Sequence, residues 1–599
     1  MPTFTTRPVV MGTRGVVTSG HYLATAAGFR IMEQGGNAID AAAAMCFCLN
    51  LLEPQSNGIG GEVPTLVYSA KERKAFAICG MGWSPKALTI AWCREHNIDL
   101  IPGDGYLPAC VPATVDTWAT AVARFGTMSF AQVLQPAMEL AESGFPVYEG
   151  LHASLTANVR KFSERYPTTA EMYCPKGRVP EVGEVLRNPD WANVLRTMCQ
   201  AEAAARHKGR VAGIEAARDA FYKGKIAERI VDFIAKNPVE DATGVAHTGL
   251  LSLEDLAEWH ATMEEPVSLR YRGLDVHKCP PWTQGPVFLQ HLAILEAYDL
   301  KSLGHNSAEY LHPLIESAKL AFADREAYYG DPLFDAVPLP VLLSKEYAAK
   351  RRGLIGEEAS YEMRPGDAGR GLPTYATFDV AGDNRRALQI AGRSVRELGL
   401  GHAHVGDTTH LDAVDREGNM VAATPSGGWI GDSPVIKGLG FPLGTRGQMF
   451  YLNPERPNAL APRKRPRATL TPSLVTKAGE PFMVFGTPGG DGQDQWTLQF
   501  FLNYVEFGMN IQEALDAPTL HSIHFPSSFY PRQAYPGRVE AENRIPKEVI
   551  AALERRGHEV GLLDGWANGK AMGIRYDKDR GIILGGVSPR RLIGYALGW

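Results

Sequence analysis

The run Ala41-Ala42-Ala43-Ala44-Met45-Cys46-Phe47-Cys48-Leu49 constrains the fold more than any other segment of this chain. It is the longest apolar stretch, yet it has only about half of the ~20 residues needed to cross a bilayer. A buried helix is the reading that remains, and its small side chains suit close packing against a sheet. Asn37 is a good N-cap for it. Gly35-Gly36 terminates a preceding helical segment, from about Tyr22 to Glu33, which itself follows a strand-like stretch from Gly15 to Ser19.

The rest of the chain fits a soluble globular protein, with 45% hydrophobic and 21% charged residues. A formal net charge of −5 gives no reason to expect nucleic acid as a partner, and the densest basic run, Arg463-Lys464-Arg465-Pro466-Arg467, is short. No membrane partner is expected either. The first residues, Met1-Pro2-Thr3-Phe4-Thr5-Thr6-Arg7, lack the apolar core of a secretory signal, so cytoplasmic residence is the expectation unless a leader precedes them. The eight cysteines match neither a zinc pattern nor a CxxC pair and read as free thiols in a reducing compartment.

Further helical patterns run from Ser129 to Ser143 and from Ser307 to Tyr328. The stretch from about Ile355 to Arg396 is rich in Gly, Pro and charge, and reads as a long surface excursion. From Thr408 the pattern turns to strands. Thr409 to Asp415 and Met420 to Thr424 flank the turn Arg416-Glu417-Gly418-Asn419. A second hairpin joins Leu474–Lys477 to Phe482–Gly486, and a third pairs Ala571–Tyr576 with Gly581–Leu584. Helices are expected at Gln495 to Phe507 and Pro546 to Arg556. Runs of strands beside runs of helices indicate a layered α+β sandwich.

GxSxG, HExxH, Walker A and a full GxGxxG are all absent, and no cofactor is expected. Gly58-Ile59-Gly60-Gly61 lacks the third glycine of a dinucleotide loop. His402, His404 and His410 alternate as strand residues do, but no Cys, Asp or Glu joins them at ligand spacing, so no metal is expected. The informative segment is Gly406-Asp407-Thr408-Thr409-His410 at the mouth of the first hairpin. A threonine hydroxyl needs a base, and a free α-amine on the same residue titrates close to neutrality and can serve. That amine is released if the hydroxyl first attacks the Asp407 carbonyl and water hydrolyses the resulting ester. If Asp415 faces Met420 across the turn, Thr409 faces Ser426, which sets a second hydroxyl beside Thr408. Gly486-Thr487-Pro488-Gly489-Gly490-Asp491-Gly492 leaves a strand and enters a helix, and backbone N–H groups exposed at such a turn make an oxyanion hole.

Taken together these segments resemble the γ-glutamyltranspeptidase family of N-terminal-nucleophile hydrolases over nearly the whole chain. The motifs that carry the resemblance are Gly35-Gly36-Asn37-Ala38-Ile39-Asp40-Ala41-Ala42, Pro54-Gln55 through Gly61, Asp407-Thr408-Thr409-His410, Lys464-Arg465-Pro466, Thr487-Pro488-Gly489-Gly490 and Ser588-Pro589-Arg590. The resemblance implies a four-layer αββα sandwich made of a large subunit, 1–407, and a small subunit, 408–599, cut from one precursor. It implies Thr408 as nucleophile, Gly489 and Gly490 as oxyanion-hole glycines, and Ser426 in place of a threonine that hydrogen-bonds the nucleophile. The positions that grip a γ-glutamyl group depart from the family: Met81 replaces an arginine, Tyr451 an acidic residue, Gly428 an asparagine, and Ala468-Thr469 a serine pair. The segment from Tyr451 to Lys464 is also too short for the family's lid loop. Gly444 to Phe450 is similar to the amidohydrolase or acylase branch, with Arg446 and Arg467 as candidates for a substrate carboxylate or, alternatively, for ion pairs.

The expected function is therefore an autoprocessing threonine amidohydrolase acting on a small-molecule amide. A true γ-glutamyltransferase or glutathione hydrolase is the first alternative, and an unprocessed, non-catalytic homologue the second. A homo-oligomer is left open.

Overall fold

The computed structural model describes residues 4–378, 407–590 and 593–599. His402, His404, Gly406 and the later part of the expected excursion lie outside the described residues.

Two seven-stranded sheets form the centre. In the first, the strands run in the order Val10–Gly12, Ile582–Val587, Met572–Asp577, Glu480–Gly486, Ser473–Lys477, Leu274–Lys278 and Val267–Tyr271. In the second they run Tyr595–Gly598, Gly15–Ser19, Leu411–Asp415, Met420–Ala423, Thr65–Ser69, Lys74–Ile78 and Met263–Glu264. Neighbours in both sheets are antiparallel. Side chains alternate between faces with period two, and here both faces are buried. Leu66, Tyr68, Val414, Met420 and Ala422 of the second sheet meet Leu474, Val484, Ile574 and Ile583 of the first in an inter-sheet core. The opposite residues, Val67, Leu411, Ala413, Val421 and Ala423, pack under the helices of one outer layer. Val475, Met483 and Phe485 pack under those of the other. The result is the expected αββα sandwich.

The alanine-rich segment is the helix Ala38–Leu52, with every residue buried. Asn37 and Asp40 form a reciprocal capping box at its start. Gly28 lets the helix Tyr22–Glu33 approach it closely: a Cβ there would lie 2.6 Å from Met45 Cγ. Larger side chains such as Phe47 and Leu49 each contribute about 1.5–3 kcal/mol by burial. Asp415 ties this helix to the sheet, since its Oδ2 accepts from the Ala38 N–H at 3.0 Å.

Several expectations shift in detail. The late helices are Gln493–Val505 and Lys547–Arg555. The described part of the expected surface excursion, 355–378, is exposed or half-buried apart from Gly366, Ala368 and Ala376, which are buried. It lies along the buried helix Ala308–Tyr328, where Asp324 Oδ1 accepts from the Gly366 N–H at 2.8 Å and the Tyr328 hydroxyl donates to Gly366 O at 2.6 Å. All eight cysteines are free, and only Cys199 is not fully buried. Among the described residues no helix is long and apolar enough to cross a membrane.

The first hairpin differs from the expected register by one residue. Val414, not Asp415, faces Met420. Asp415 pairs with Asn419 instead: its N–H donates to Asn419 O at 3.2 Å, and its carboxylate accepts from the Asn419 backbone and side-chain nitrogens, each at 2.9 Å. Gly418, at φ +88°, closes the resulting three-residue loop. A side chain at position 418 meets left-handed backbone strain of roughly 1–3 kcal/mol, and its Cβ would also sit 3.1 Å from Pro481. Gly418→Ala is therefore expected to lower the urea midpoint of unfolding; an unchanged midpoint would contradict this account of the register.

Candidate active site

The shift in register places Ser426 opposite Thr408 itself, through an isolated antiparallel bridge, rather than opposite Thr409. The two hydroxyl oxygens are 3.0 Å apart and buried. On its other side Ser426 bridges Glu62, with the two backbones exchanging N–H···O bonds of 2.9 Å each. Ser426 is thus clamped between Thr408 and Glu62. The glycines before Glu62 make this clamp sterically possible: a Cβ on Gly61 would lie 2.1 Å from Ser426 O, and one on Gly60 2.1 Å from Pro442 O. Gly58-Ile59-Gly60-Gly61 is a site of close backbone approach, not a phosphate loop.

Arg446 completes the arrangement. Its Nε donates to Glu62 Oε1 at 2.6 Å and its Nη2 donates to Ser426 Oγ at 2.8 Å. The guanidinium also sits over the Trp429 ring, 4.9 Å from its centroid. Both charged groups are almost wholly buried. Burial pushes the Glu62 carboxyl above its ordinary range, and Arg446 pulls it part of the way back. With Arg446 donating to it, Ser426 keeps its own proton free to direct at Thr408 Oγ1 or at the neighbouring Asp407 O, 3.3 Å away.

Thr408 opens onto a cavity of about 500 Å³. Gly489 and Gly490 line it from the first sheet, at φ +121° and +54°. A Cβ on Gly489 would lie 2.2 Å from the Trp496 ring, so the turn demands glycine on both conformational and steric grounds. The next residue, Asp491, anchors the turn. It accepts from the Ser528 N–H at 2.8 Å and hydroxyl at 2.6 Å, and it pairs with the buried Arg325. Burial opposes its charge, yet Arg325 and the Ser528 bonds hold its carboxyl below the ordinary range. Phe525, Phe529, Tyr535 and Trp496 give the cavity an aromatic wall. Arg538 lines it too, with a side chain 42% exposed and its nearest carboxylate, Glu540, 3.7 Å away.

The structure therefore brings Thr408, Ser426, Gly489, Gly490 and Asp407 together. It does not bring the five expected substrate-binding residues to the cavity. Met81 lies in the inter-sheet core. Arg446 is spent on Glu62 and Ser426. Arg467 donates to Glu326 at 2.8 Å and to Ser528 Oγ at 3.1 Å, while the Tyr451 hydroxyl donates to the same Glu326 at 2.5 Å. Burial opposes ionisation of Glu326, but Arg467, Arg325 and Arg456 outweigh it and hold its carboxyl far below the ordinary range. Arg467 and Tyr451 thus belong to a buried network that reaches Asp491 through Arg325 and Ser528, and braces the glycine turn from behind. Thr469 is fully buried with no hydrogen-bond partner for its hydroxyl among the described residues.

The basic run is likewise taken up in ion pairs, with Lys464, Arg465 and Arg467 buried and Arg463 partly exposed. Arg463 pairs with Glu254, Lys464 with Asp335, and Arg465 with Asp331. His410 has both ring nitrogens engaged, by Thr424 Oγ1 and Asp412 Oδ1 at 2.9 Å each. Among the described residues no cluster of His, Cys, Asp and Glu could hold a metal ion. Sequence reasoning missed Glu62, Trp429, Asp491 and Arg538. Glu62 alone carried a signal, as an acidic residue directly after a glycine cluster.

The sequence pattern of the family described as Gamma-glutamyltranspeptidase matches residues 24–599. A solved structure titled "Structure of LmbA2991HD" is 43% identical with a TM-score of 0.92, covering 100% of both chains. The crystal structure of cephalosporin acylase from Bacillus halodurans is 31% identical with a TM-score of 0.82, covering 100% of this chain and 98% of that one. Among curated proteins, the glutathione hydrolase-like YwrD proenzyme of Bacillus subtilis (strain 168) is 31% identical over 97% of this chain and 98% of its own length.

The Glu62–Arg446 pair yields an asymmetric pH test. Glu62→Gln strands a buried guanidinium that cannot shed its charge, at a cost of about 3–5 kcal/mol. Arg446→Met strands a carboxylate that can neutralise itself. Its folded pKa, already raised by burial, rises further, so its penalty is full above that value and fades as pH falls toward the unfolded value near 4. Thermal midpoints from pH 8 to pH 5 should show Arg446→Met recovering relative to wild type and Glu62→Gln not recovering. Parallel curves would refute the assignment.

Proposed function

The chain belongs to the gamma-glutamyltranspeptidase family of hydrolases and acyltransferases, and on that premise we propose that it is an N-terminal threonine amidohydrolase of the acylase kind. It cuts its own Asp407–Thr408 bond and then hydrolyses a small-molecule amide through an ester on Thr408. The observation that carries this reading is the buried Thr408–Ser426 hydroxyl pair beside a cavity lined by both Thr408 and the Gly489–Gly490 turn. "Proenzyme" in the relative's name supports the self-cleavage step.

The chemistry follows from the positions. After cleavage the Thr408 amine, with an ordinary pKa of about 7.7–8.0, takes the hydroxyl proton as Thr408 Oγ1 adds to the substrate carbonyl. The oxyanion is met by backbone N–H groups of the glycine turn. Collapse expels the amine product with the proton, and water returns Thr408 by hydrolysing the ester. Ser426, oriented by Arg446, fixes the rotamer of the attacking hydroxyl. The two subunits of this reading are 1–407 and 408–599.

Purified protein is expected to give two bands in roughly two-to-one mass ratio on a denaturing gel, the smaller beginning Thr-Thr-His. Thr408→Ala should leave one band and no amidase activity. In the mature enzyme kcat/KM should rise as pH passes through about 7–8 and the amine loses its proton. A single full-length band from the wild type would leave a non-catalytic homologue as the answer. Brisk, glycylglycine-stimulated turnover of a γ-glutamyl anilide would instead favour γ-glutamyl transfer.

The cavity also bears on the substrate. Its aromatic wall suits an apolar or aromatic acyl group, and Arg538 is the cavity-lining guanidinium with room for a carboxylate. Arg538→Ala is expected to raise KM roughly 10- to 100-fold for acyl donors that carry a carboxylate, the loss of one charge-assisted contact, and far less for uncharged donors. Equal effects on both would remove Arg538 from the binding site.

A further inference from the structure

We propose that Trp429 is a catalytic residue of self-cleavage: its indole N–H is the oxyanion donor for the Asp407 carbonyl as Thr408 attacks. This inference rests on the self-cleavage reading above and assigns that step its own electrostatic partner. Trp429 Nε1 donates to Asp407 O at 2.6 Å, and Ser426 Oγ donates to the same oxygen at 3.3 Å. The hydroxyl that attacks belongs to the next residue and is 3.0 Å from Ser426 Oγ. Donors and nucleophile therefore converge on the one peptide group that must break.

The step balances without a further reagent. Thr408 Oγ1 adds to the Asp407 carbonyl carbon, and negative charge develops on Asp407 O. The hydroxyl proton passes to the Thr408 nitrogen as the C–N bond breaks, leaving an ester between Asp407 and Thr408 Oγ1 and a free α-amine. Water then splits the ester into the Asp407 carboxyl group and the Thr408 hydroxyl. An indole N–H is a donor only and gives up no proton here, so its contribution is electrostatic. It grows as the carbonyl oxygen moves from partial to full charge, and it is large because Trp429 is almost wholly buried. Arg446 against the ring face draws density from the indole and sharpens the N–H as a donor.

Two observations separate this role from substrate turnover. The described residues of the cavity wall include Gly489 and Gly490 but not Trp429. The indole N–H is also shared with Ser56 O at 2.9 Å, so it keeps an acceptor once the Asp407 terminus has left. The two oxyanions of the enzyme's life thus meet different donors: the indole serves the one formed on its own chain, and the glycine turn serves those formed on substrate.

Trp429→Phe removes the N–H while retaining a ring against Arg446, Met449 and Phe529. Freshly purified Trp429→Phe precursor, followed on denaturing gels beside wild type, should convert at least about 100-fold more slowly. Hydroxylamine should not restore the rate, because the slowed step precedes the ester. Melting of the uncleaved variant is compared with that of uncleaved Thr408→Ala. Slow conversion in a precursor that melts with Thr408→Ala supports the assignment. Conversion at the wild-type rate overturns it and leaves the self-cleavage reading standing, and slowing that tracks a lost melting transition also overturns it. A wild-type chain that never yields a fragment beginning Thr-Thr-His sinks the self-cleavage reading, and this inference with it.

Discussion

The buried ion pair between Glu62 and Arg446 is the interaction on which the site depends. Neither group can leave without stranding the other in a low-dielectric interior. Each is also fixed independently: Glu62 by the backbone bridge to Ser426, Arg446 by its bond to the Ser426 hydroxyl and its stack on Trp429. One charge pair thus sets the position of the second hydroxyl, the orientation of the indole and, through both, the surroundings of Thr408. A hydroxyl pair alone would leave its rotamers to solvent. Here their geometry is dictated by a guanidinium with a rigid fork of donors.

A second buried network does the same for the glycine turn. Glu326 gathers Arg325, Arg467 and Tyr451, and Arg325 passes the connection on to Asp491. In the proposed mechanism the turn has to present backbone N–H groups to the substrate oxyanion. Glycine at 489 and 490 permits the backbone, while Asp491 and Ser528 hold it there. Thr408 comes from one sheet and the turn from the other, so the distance between them is set by the inter-sheet core around Val414, Met420, Ala422, Leu474 and Val484. Packing there acts on chemistry at the edge of the sandwich because close-packed interiors transmit displacement poorly absorbed elsewhere.

What was legible in the sequence follows from how local each signal is. The Ala38–Leu52 helix, its Asn37 cap and the hairpins around Thr408 and Leu474 are written in periodicity and turn chemistry, and they appear where expected. The hairpin register was read one residue out, because the choice between a four- and a three-residue loop depends on whether Asn419 joins the turn or pairs with Asp415. That is decided by side-chain bonds from Asp415. Arg467, Tyr451 and Met81 were expected at the substrate because alignment by position treats a replaced binding residue as a changed binding residue. In the fold those positions have been absorbed into structure, two by the Glu326 network and one by the core. Glu62 with Arg446, and Trp429 with Asp407, are pairs separated by hundreds of residues or by a loop, and no local pattern announces them.

The two sheets also bear on the proposed self-cleavage, because they would hold the site together after a break beside Thr408. Each sheet contains strands from both sides of Thr408: Gly15–Ser19 and Thr65–Ser69 enclose Leu411–Asp415 and Met420–Ala423, and Leu274–Lys278 pairs with Ser473–Lys477. A cut between 407 and 408 would create two chain ends but interrupt none of the named strands. The new terminus at Thr408 is still held by the bridge to Ser426 and by the Thr409 N–H bond to Pro425 O at 3.0 Å. What the cut does remove is the covalent tether on the Asp407 side, whose side chain is held by an ion pair with Lys570 at 2.7 Å on partly exposed groups. Such a pair is worth roughly 0–1 kcal/mol and competes weakly with water. The fold therefore grips Thr408 through the buried sheet, and Asp407 through the Trp429 and Ser426 bonds to its carbonyl as well as the Lys570 pair on its side chain. Under the proposed self-cleavage the indole N–H keeps Ser56 O as an acceptor if the Asp407 terminus leaves, and the sheet keeps Thr408 in place.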